Sequence, residues 1–335
     1  MTERISYQEL KHRLRDIDIP DSELAPFFTG DPDLSSAMNP VLRVNPATVD
    51  LGAPERVEAE AAAAMSVFNG IARWRRKQRF DRDVSRFPNR PVLLAEGDSW
   101  FQFPILIDET IDSLLDDHDY LVDCVSAAGD TLQNMVINGD VEYESLIREY
   151  PGTIAAFIFS GAGNDIIGTD VLTGRSVIEN IVLPFAPGRG PAQYINNPAF
   201  KSTMAFIESA YMRVIGTVRA LRPNLRIVIH GYDYAIPGGF PGDPRRPVYA
   251  SQDQWLGRPF AKLGITDQAL RQAIVKAMVD KLYTVLRRVA ATDTNTVCVD
   301  IRGTNKTVDL WNDEIHPTNA GFKRVAARLH TALTS

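Results

Sequence analysis

The chain has 335 residues, 44% of them hydrophobic and 23% charged, with a formal net charge of -6. That is the make-up of an ordinary globular protein, long enough for one large domain or two. The acidic balance argues against wholesale nucleic-acid binding, and no apolar run approaches the roughly 20 residues that span a bilayer. The N-terminus, Met1-Thr2-Glu3-Arg4-Ile5, leads into a mixed charged segment and does not read as a secretory signal. The cytoplasm is therefore the expected compartment, although leaderless export would leave no trace in the sequence.

The first ninety residues differ in texture from the rest. Ser6 to Arg15 has Leu10 and Leu14 four apart and predicts a short amphipathic helix. Pro20-Asp21-Ser22-Glu23 reads as a turn and a new helix start, and residues 30–54 as irregular chain rich in Pro, Asp and Asn. A helix is predicted from Pro54 to about Arg79, with Glu55, Glu58 and Glu60 early and Arg73, Arg75, Arg76, Lys77 and Arg79 late, an order that complements the helix dipole. The basic cluster is expected to be a solvated helix end, with an acidic partner, lipid headgroups or RNA as the alternatives.

From Arg90 onward strands and helices alternate. Strands are predicted at Pro91–Ala95, Leu121–Val125, Ile154–Phe159, Arg226–His230 and Thr296–Ile301, the third fully apolar and so buried on both faces. Helices are predicted at Ile107–Asp117, Val141–Tyr150 and Phe200–Leu221. Another carries Leu270, Ile274, Met278, Leu282, Val285 and Val289 in phase after a Thr266 cap, and a last one starts near Thr318 or Asn319. Two stretches read as loops: residues 168–198, and residues 231–264 with five prolines and six glycines. Long connections of the second kind are often lids or binding loops. Five strand–helix alternations imply a parallel sheet with helices on both faces, an α/β fold carried by the chain after residue 89 with residues 1–88 as an accessory segment.

Four polar turns fall at or just beyond predicted strand ends: Gly97-Asp98-Ser99, Gly129-Asp130, Gly163-Asn164-Asp165, and Asp313 with His316. Strand C-termini of a parallel sheet share one edge, so these turns converge there. A Ser, a His, an Asp and several oxyanion donors are the parts needed for acyl transfer. His230 also ends a strand and is expected to be structural. The five histidines are scattered, no Cys or His spacing resembles a zinc site, and no metal or other cofactor is expected. Cys124 and Cys298 each lie in an apolar run and read as small core residues.

In order, these four segments resemble the blocks of the SGNH hydrolases, the GDSL-like lipases and esterases, over about residues 91 to 330. Gly97-Asp98-Ser99 matches the first block, with Trp100 where Leu is more usual. Gly129 matches the isolated glycine. Ala162-Gly163-Asn164-Asp165 matches Gly-x-Asn-Asp except for its first glycine, and Asp313-Glu314-Ile315-His316 is an intact Asp-x-x-His followed by Pro317. The resemblance implies a three-layer α/β/α sandwich with a five-stranded parallel sheet of order 2-1-3-4-5 over residues 89–335, interrupted by loop insertions at 168–198 and 231–264. It implies Ser99 as nucleophile, His316 as general base and Asp313 as its orienter. The oxyanion hole would be made by the N–H groups of Ser99 and Gly129 and the side chain of Asn164. Asp98 and Asp165 are expected to brace turns. That sheet order puts Cys124 and Cys298 on opposite edge strands, four spacings of ~4.8 Å apart and beyond the ~7 Å limit for a disulfide, so both thiols should be free.

The expected activity is hydrolysis of carboxylic esters of small molecules or lipids through an acyl-enzyme. Trp100, Phe101, His230, Tyr232 and Trp255 are the candidate pocket residues, with Phe103 and Phe260 as further aromatics nearby, and Trp100 is expected to pack beneath the site. An acetylated carbohydrate would also stack on such walls, which keeps a carbohydrate O-acetylesterase as the alternative. Two others are a binding or effector module docking a protein partner through residues 1–88, and a relative whose triad is not assembled.

Overall fold

The computed structural model describes residues 4–30, 41–52, 65–138, 141–170 and 173–335. Strands are numbered along the chain. β1 (Ile5–Ser6) pairs in parallel with β4 (Val49–Asp50), and β2 (Phe28–Gly30) pairs antiparallel with β3 (Leu42–Val44). The main sheet contains β5 (Val92–Gly97), β6 (Leu121–Cys124), β7 (Ala156–Ser160), β8 (Ile227–His230) and β9 (Thr296–Val299). Its order is β6-β5-β7-β8-β9 and every pairing is parallel. This is the order expected from the resemblance.

The sequence explains the layering. Every residue of β5 and β7 is buried, as expected of strands covered on both faces. The Pro198–Leu221 helix turns Phe200, Met204, Ile207, Tyr211, Val214 and Val218 inward, and Asn197 caps it by accepting Phe200 N–H at 2.9 Å. It packs against the Gln268–Ala290 helix, while the Asn319–Thr334 helix packs against Thr110–Asp117; both pairs flank the sheet. The Gln268–Ala290 helix is capped by Asp267, whose carboxylate accepts Leu270 N–H at 2.7 Å, and not by Thr266. One residue's shift suffices because a carboxylate also complements the positive helix end. Thr318 caps the last helix.

Three further differences stand out. The 168–198 stretch contains short helices at Val177–Ile181 and Pro191–Tyr194, and the 231–264 stretch one at Gly257–Lys262. The small strands β1 to β4 carry no pattern long enough to announce them. The long N-terminal helix runs Met65–Arg86, seven residues beyond the expected end at Arg79; its expected start at Pro54, with Glu55, Glu58 and Glu60, lies outside the described residues.

The basic cluster on that helix is only in part a solvated end: Lys77 is exposed and Arg73 and Arg79 are half-buried, but Arg75 and Arg76 turn inward. Arg76 is buried and donates to Phe101 O and Gln102 Oε1, both at 2.8 Å, and to Glu109 Oε1 at 2.5 Å and Asp112 Oδ1 at 2.7 Å. Arg75, also buried, donates to the Leu14 and Asp16 carbonyls at 2.9 and 2.7 Å. These guanidiniums face inward because bare carbonyls and carboxylates wait for them there, and a buried cation is tolerated only when so paired. Lys77 reaches Asp123 on the edge strand β6 at 2.8 Å. Cys124 and Cys298 are free and lie on β6 and β9, the two edges of the sheet. Among the described residues no helix is long and apolar enough to cross a membrane.

Candidate active site

Gly97 ends β5 with no room for a side chain. A Cβ there would lie 2.7 Å from Ser160 O and 2.8 Å from the Phe101 ring. The chain then turns: Asp98 Oδ1 accepts Trp100 N–H at 3.0 Å, and Phe101 N–H returns to Asp98 O at 3.0 Å. The turn holds Ser99 at the carboxyl edge of the sheet, where Oγ is 2.8 Å from His316 Nε2.

His316 lies more than two hundred residues away but is placed by its own short turn. Asp313 Oδ1 accepts the backbone N–H groups of Ile315 and His316, both at 2.7 Å, and Asp313 Oδ2 is 2.7 Å from His316 Nδ1. With Nδ1 donating to that carboxylate, the Nε2 lone pair is left to face the serine hydroxyl. Burial would raise the pKa of Asp313, but the facing imidazole and the hydrogen bonds of His316, Tyr249 and Ile315 outweigh it and hold the group below its ordinary value. All three side chains are buried. The imidazole is enclosed by aromatic edges, with ring centroids of Phe103 at 4.7 Å and Trp255 at 5.9 Å.

The remaining polar turns meet the same edge. Tyr232 joins two of them: its hydroxyl donates to Asp98 Oδ2 and accepts Gly163 N–H at 2.8 Å. Asp165 Oδ2 accepts Leu132 N–H at 2.9 Å, and Asn164 Nδ2 donates to Asp130 O at 2.6 Å, which ties the third block to the Gly129 turn. Asp98 and Asp165 thus act as braces; burial raises each to about 6 against its hydrogen bonds. Gly129 has φ of 90°, and so, at 96°, does Ala162, the residue standing where the resemblance expects glycine.

Beside Ser99 opens a narrow apolar cavity. Its polar end is formed by Asp98, Ser99, Gly163 and Asn164. Its walls are Trp100, Ile166, Ile167, Ala235, Leu256 and Ile315 and the face of the Gln268–Ala290 helix bearing Val275, Met278, Val279 and Leu282. Of the five pocket residues named from sequence, Trp100 and Tyr232 line this cavity, whereas Phe101, His230 and Trp255 do not. Trp100 also packs edge-on against Tyr232 and Phe322 and donates Nε1–H to Ile315 O at 3.2 Å, so it is wall and foundation together. His230 is fully buried under Phe101, its Nδ1 is 2.5 Å from Gly231 O, and burial lowers its pKa to about 4. It is a neutral structural residue rather than a second base.

Two groups of residues escaped the sequence reading. Met278 and Leu282 belong to a helical stripe that carries no sign of a site role, and nothing singles out Val275 or Val279, yet all four line the cavity. Glu314, between Asp313 and His316, accepts four backbone N–H groups of the 231–264 excursion: Gly238 and Trp255 at 2.6 Å, Gly257 at 2.7 Å and Leu256 at 2.9 Å. An acidic residue beside the Asp-x-x-His positions was the one available signal for it.

No family model matches the chain, and no curated protein matches it by sequence. Comparison with solved structures finds a phospholipase A1 from Streptomyces albidoflavus at 16% identity, covering 72% of this chain and 99% of that one with a TM-score of 0.46. An extracellular lipase from Streptomyces rimosus is similar at 14% identity, covering 72% and 99% with a TM-score of 0.40. A carbohydrate esterase family 2 enzyme from Corynascus is similar at 12% identity, covering 74% and 66% with a TM-score of 0.42. The chemistry of the site rests on its own geometry.

Proposed function

We propose that the protein is a serine ester hydrolase of the SGNH type. One observation carries the reading: the unbroken chain Ser99 Oγ, His316 Nε2, His316 Nδ1, Asp313 Oδ2, with links of 2.8 and 2.7 Å, at the mouth of an apolar cavity. A hydroxyl is a weak nucleophile at its free pKa and needs an adjacent base. His316 takes the Ser99 proton as Oγ attacks the ester carbonyl, and Asp313 stabilises the resulting imidazolium. The tetrahedral oxyanion is received by Ser99 N–H, Gly129 N–H and the Asn164 amide, each such donor being worth ~2.7–4 kcal/mol in the transition state. Collapse expels the alcohol, which takes the proton from His316, and water then repeats the sequence to release the acid.

The apolar walls favour an acyl chain over a sugar, so short to medium acyl esters are the preferred substrates. A fluorophosphonate probe should label the wild type and not Ser99→Ala. Equal labelling of both removes Ser99 as nucleophile. A panel of p-nitrophenyl esters from acetate to decanoate, run beside acetylated sugars, separates the lipid-ester reading from the carbohydrate O-acetylesterase.

A further inference from the structure

The carboxylate that orients His316 has a second side-chain ligand from a distant segment. Tyr249, in the 231–264 excursion, donates its hydroxyl to Asp313 Oδ2 at 2.5 Å, the same oxygen that faces His316 Nδ1 at 2.7 Å. The direction of that hydroxyl is set locally. Asn312 Nδ2 donates to Tyr249 Oη at 2.6 Å, so the phenol's own proton is left to point at Asp313. Tyr249 is buried, and its ring packs on Phe103 at 4.9 Å, the same ring that lies against His316.

The excursion carrying Tyr249 is fastened to the catalytic turn at further points. Arg245 donates to Asp313 O and Ile236 O, both at 2.8 Å, while held by Asp243 at 2.7 Å, and both charged groups are buried. Glu314 gathers four backbone N–H groups from either side of Tyr249. From below, Gly30 lies so close that a Cβ on it would sit 1.8 Å from Val248 O. Among the described residues the Asp313 carboxylate thus meets the His316 ring, the Tyr249 hydroxyl and the backbone N–H groups of Ile315 and His316, with Arg245 on its main chain.

Resting on the hydrolase reading above, we propose that Tyr249 is a positioning residue of the catalytic triad, holding the Asp313 carboxylate so that Oδ2 keeps the His316 imidazole aimed at Ser99. The 231–264 excursion is then a fixed part of the catalytic apparatus and not a lid. A tyrosine hydroxyl on Oδ2 does two things: it pins the carboxylate rotor, and it draws charge from the oxygen that supports the imidazolium. Removing it leaves the backbone N–H groups on Oδ1 but loosens Oδ2, and makes the carboxylate a stronger partner for the protonated ring.

The test is Tyr249→Phe, assayed on p-nitrophenyl butyrate with pH profiles, beside fluorophosphonate labelling of the wild type and Ser99→Ala. Expected are a kcat about 5- to 50-fold lower, a KM within about twofold, and an acid limb of kcat/KM displaced to higher pH. A purely structural role would instead lower the melting temperature and leave the acid limb in place, and that result overturns the proposal. Asn312→Ala keeps the phenol but releases its orientation, and should move kcat and the acid limb the same way by less. If Tyr249→Phe does not fold, an Asn312→Ala enzyme identical to wild type overturns the proposal. A wild type that neither labels nor turns over overturns the hydrolase reading and this proposal with it. An active wild type matched by Tyr249→Phe overturns this proposal alone.

Discussion

Ala162 shows what a single residue can reveal about a site. It caps the short Gly163–Ile167 helix with φ of 96° and ψ of -17°, fully buried, and a side chain in the left-handed region costs roughly 1–2 kcal/mol. Glycine would remove that strain while adding unfolded-chain entropy of about 0.4–1 kcal/mol. Ala162→Gly should therefore stabilise the protein by up to about 1 kcal/mol in urea unfolding, and a clear loss of stability would sink the strain argument. The resemblance marked this position as the departure from Gly-x-Asn-Asp, and the backbone retains the conformation that glycine favours. The triad candidates were legible because Ser99, Asp313 and His316 each sit in a local turn with its own sequence signature. Tyr249 was not, since nothing in the sequence near a tyrosine in a Pro- and Gly-rich stretch says which distant carboxylate it will meet. Met278 and Leu282 were legible as an apolar helical stripe, but periodicity cannot tell a stripe facing a core from one facing a cavity.

Among elements, the Met65–Arg86 helix matters most beyond the sheet. Arg76 ties it by four polar contacts, two of them to carboxylates, to the loop that follows the nucleophile and to the Thr110–Asp117 helix after it, and the surrounding charge raises the guanidinium's pKa against its burial. Asp21, also N-terminal, accepts the N–H of Ile105 at 3.3 Å, and Ile105 has φ of 68°, rare for a β-branched residue. The 101–109 loop is thus shaped by chain that a sheet-only account would discard. Arg76→Ala strands Glu109 and Asp112 and should cost about 3–5 kcal/mol, measured by denaturant unfolding; a change within 0.5 kcal/mol on the order of a surface substitution would refute the buried-pair argument. Deleting residues 1–88 should give insoluble protein. A soluble, active product would instead mark the segment as a detachable module. The sheet itself was legible because period-2 and fully apolar runs alternate with 3.6-period stripes. The inward turn of Arg75 and Arg76 was not, because a run of arginines carries no record of which carbonyls it will find.

For the molecule as a whole, the same burial that builds the site divides the pH range for stability from that for activity. Burial is the leading cause that raises Asp98, Asp108, Asp130 and Asp165 to about 6 and Glu314 to about 7, each above its ordinary value. A carboxyl with a raised pKa in the fold binds its proton more tightly there than in the unfolded chain. Its contribution is complete below the ordinary value and is lost as pH rises through the folded one. Asp293 and His230 run the other way. Asp293 is lowered to about 2 chiefly by its Arg219 hydrogen bonds, and its contribution is lost only below about pH 4, outside this window. His230 is lowered to about 4 by burial and adds stability as pH rises to about 6.5, but it is one group against five. The melting temperature at constant ionic strength should accordingly fall between about pH 5 and pH 8. A triad base works only as the neutral imidazole, so the ester-hydrolysis rate should show an acid limb on which it falls as pH drops. Thermal melts and initial rates on one set of buffers test both slopes. A melting temperature that climbs with pH from 5 to 8 would mean that the buried carboxylates are fully ionised and satisfied, Glu314 by its four backbone donors in particular. A rate with no acid limb down to the pH at which the protein unfolds would remove His316 as the base.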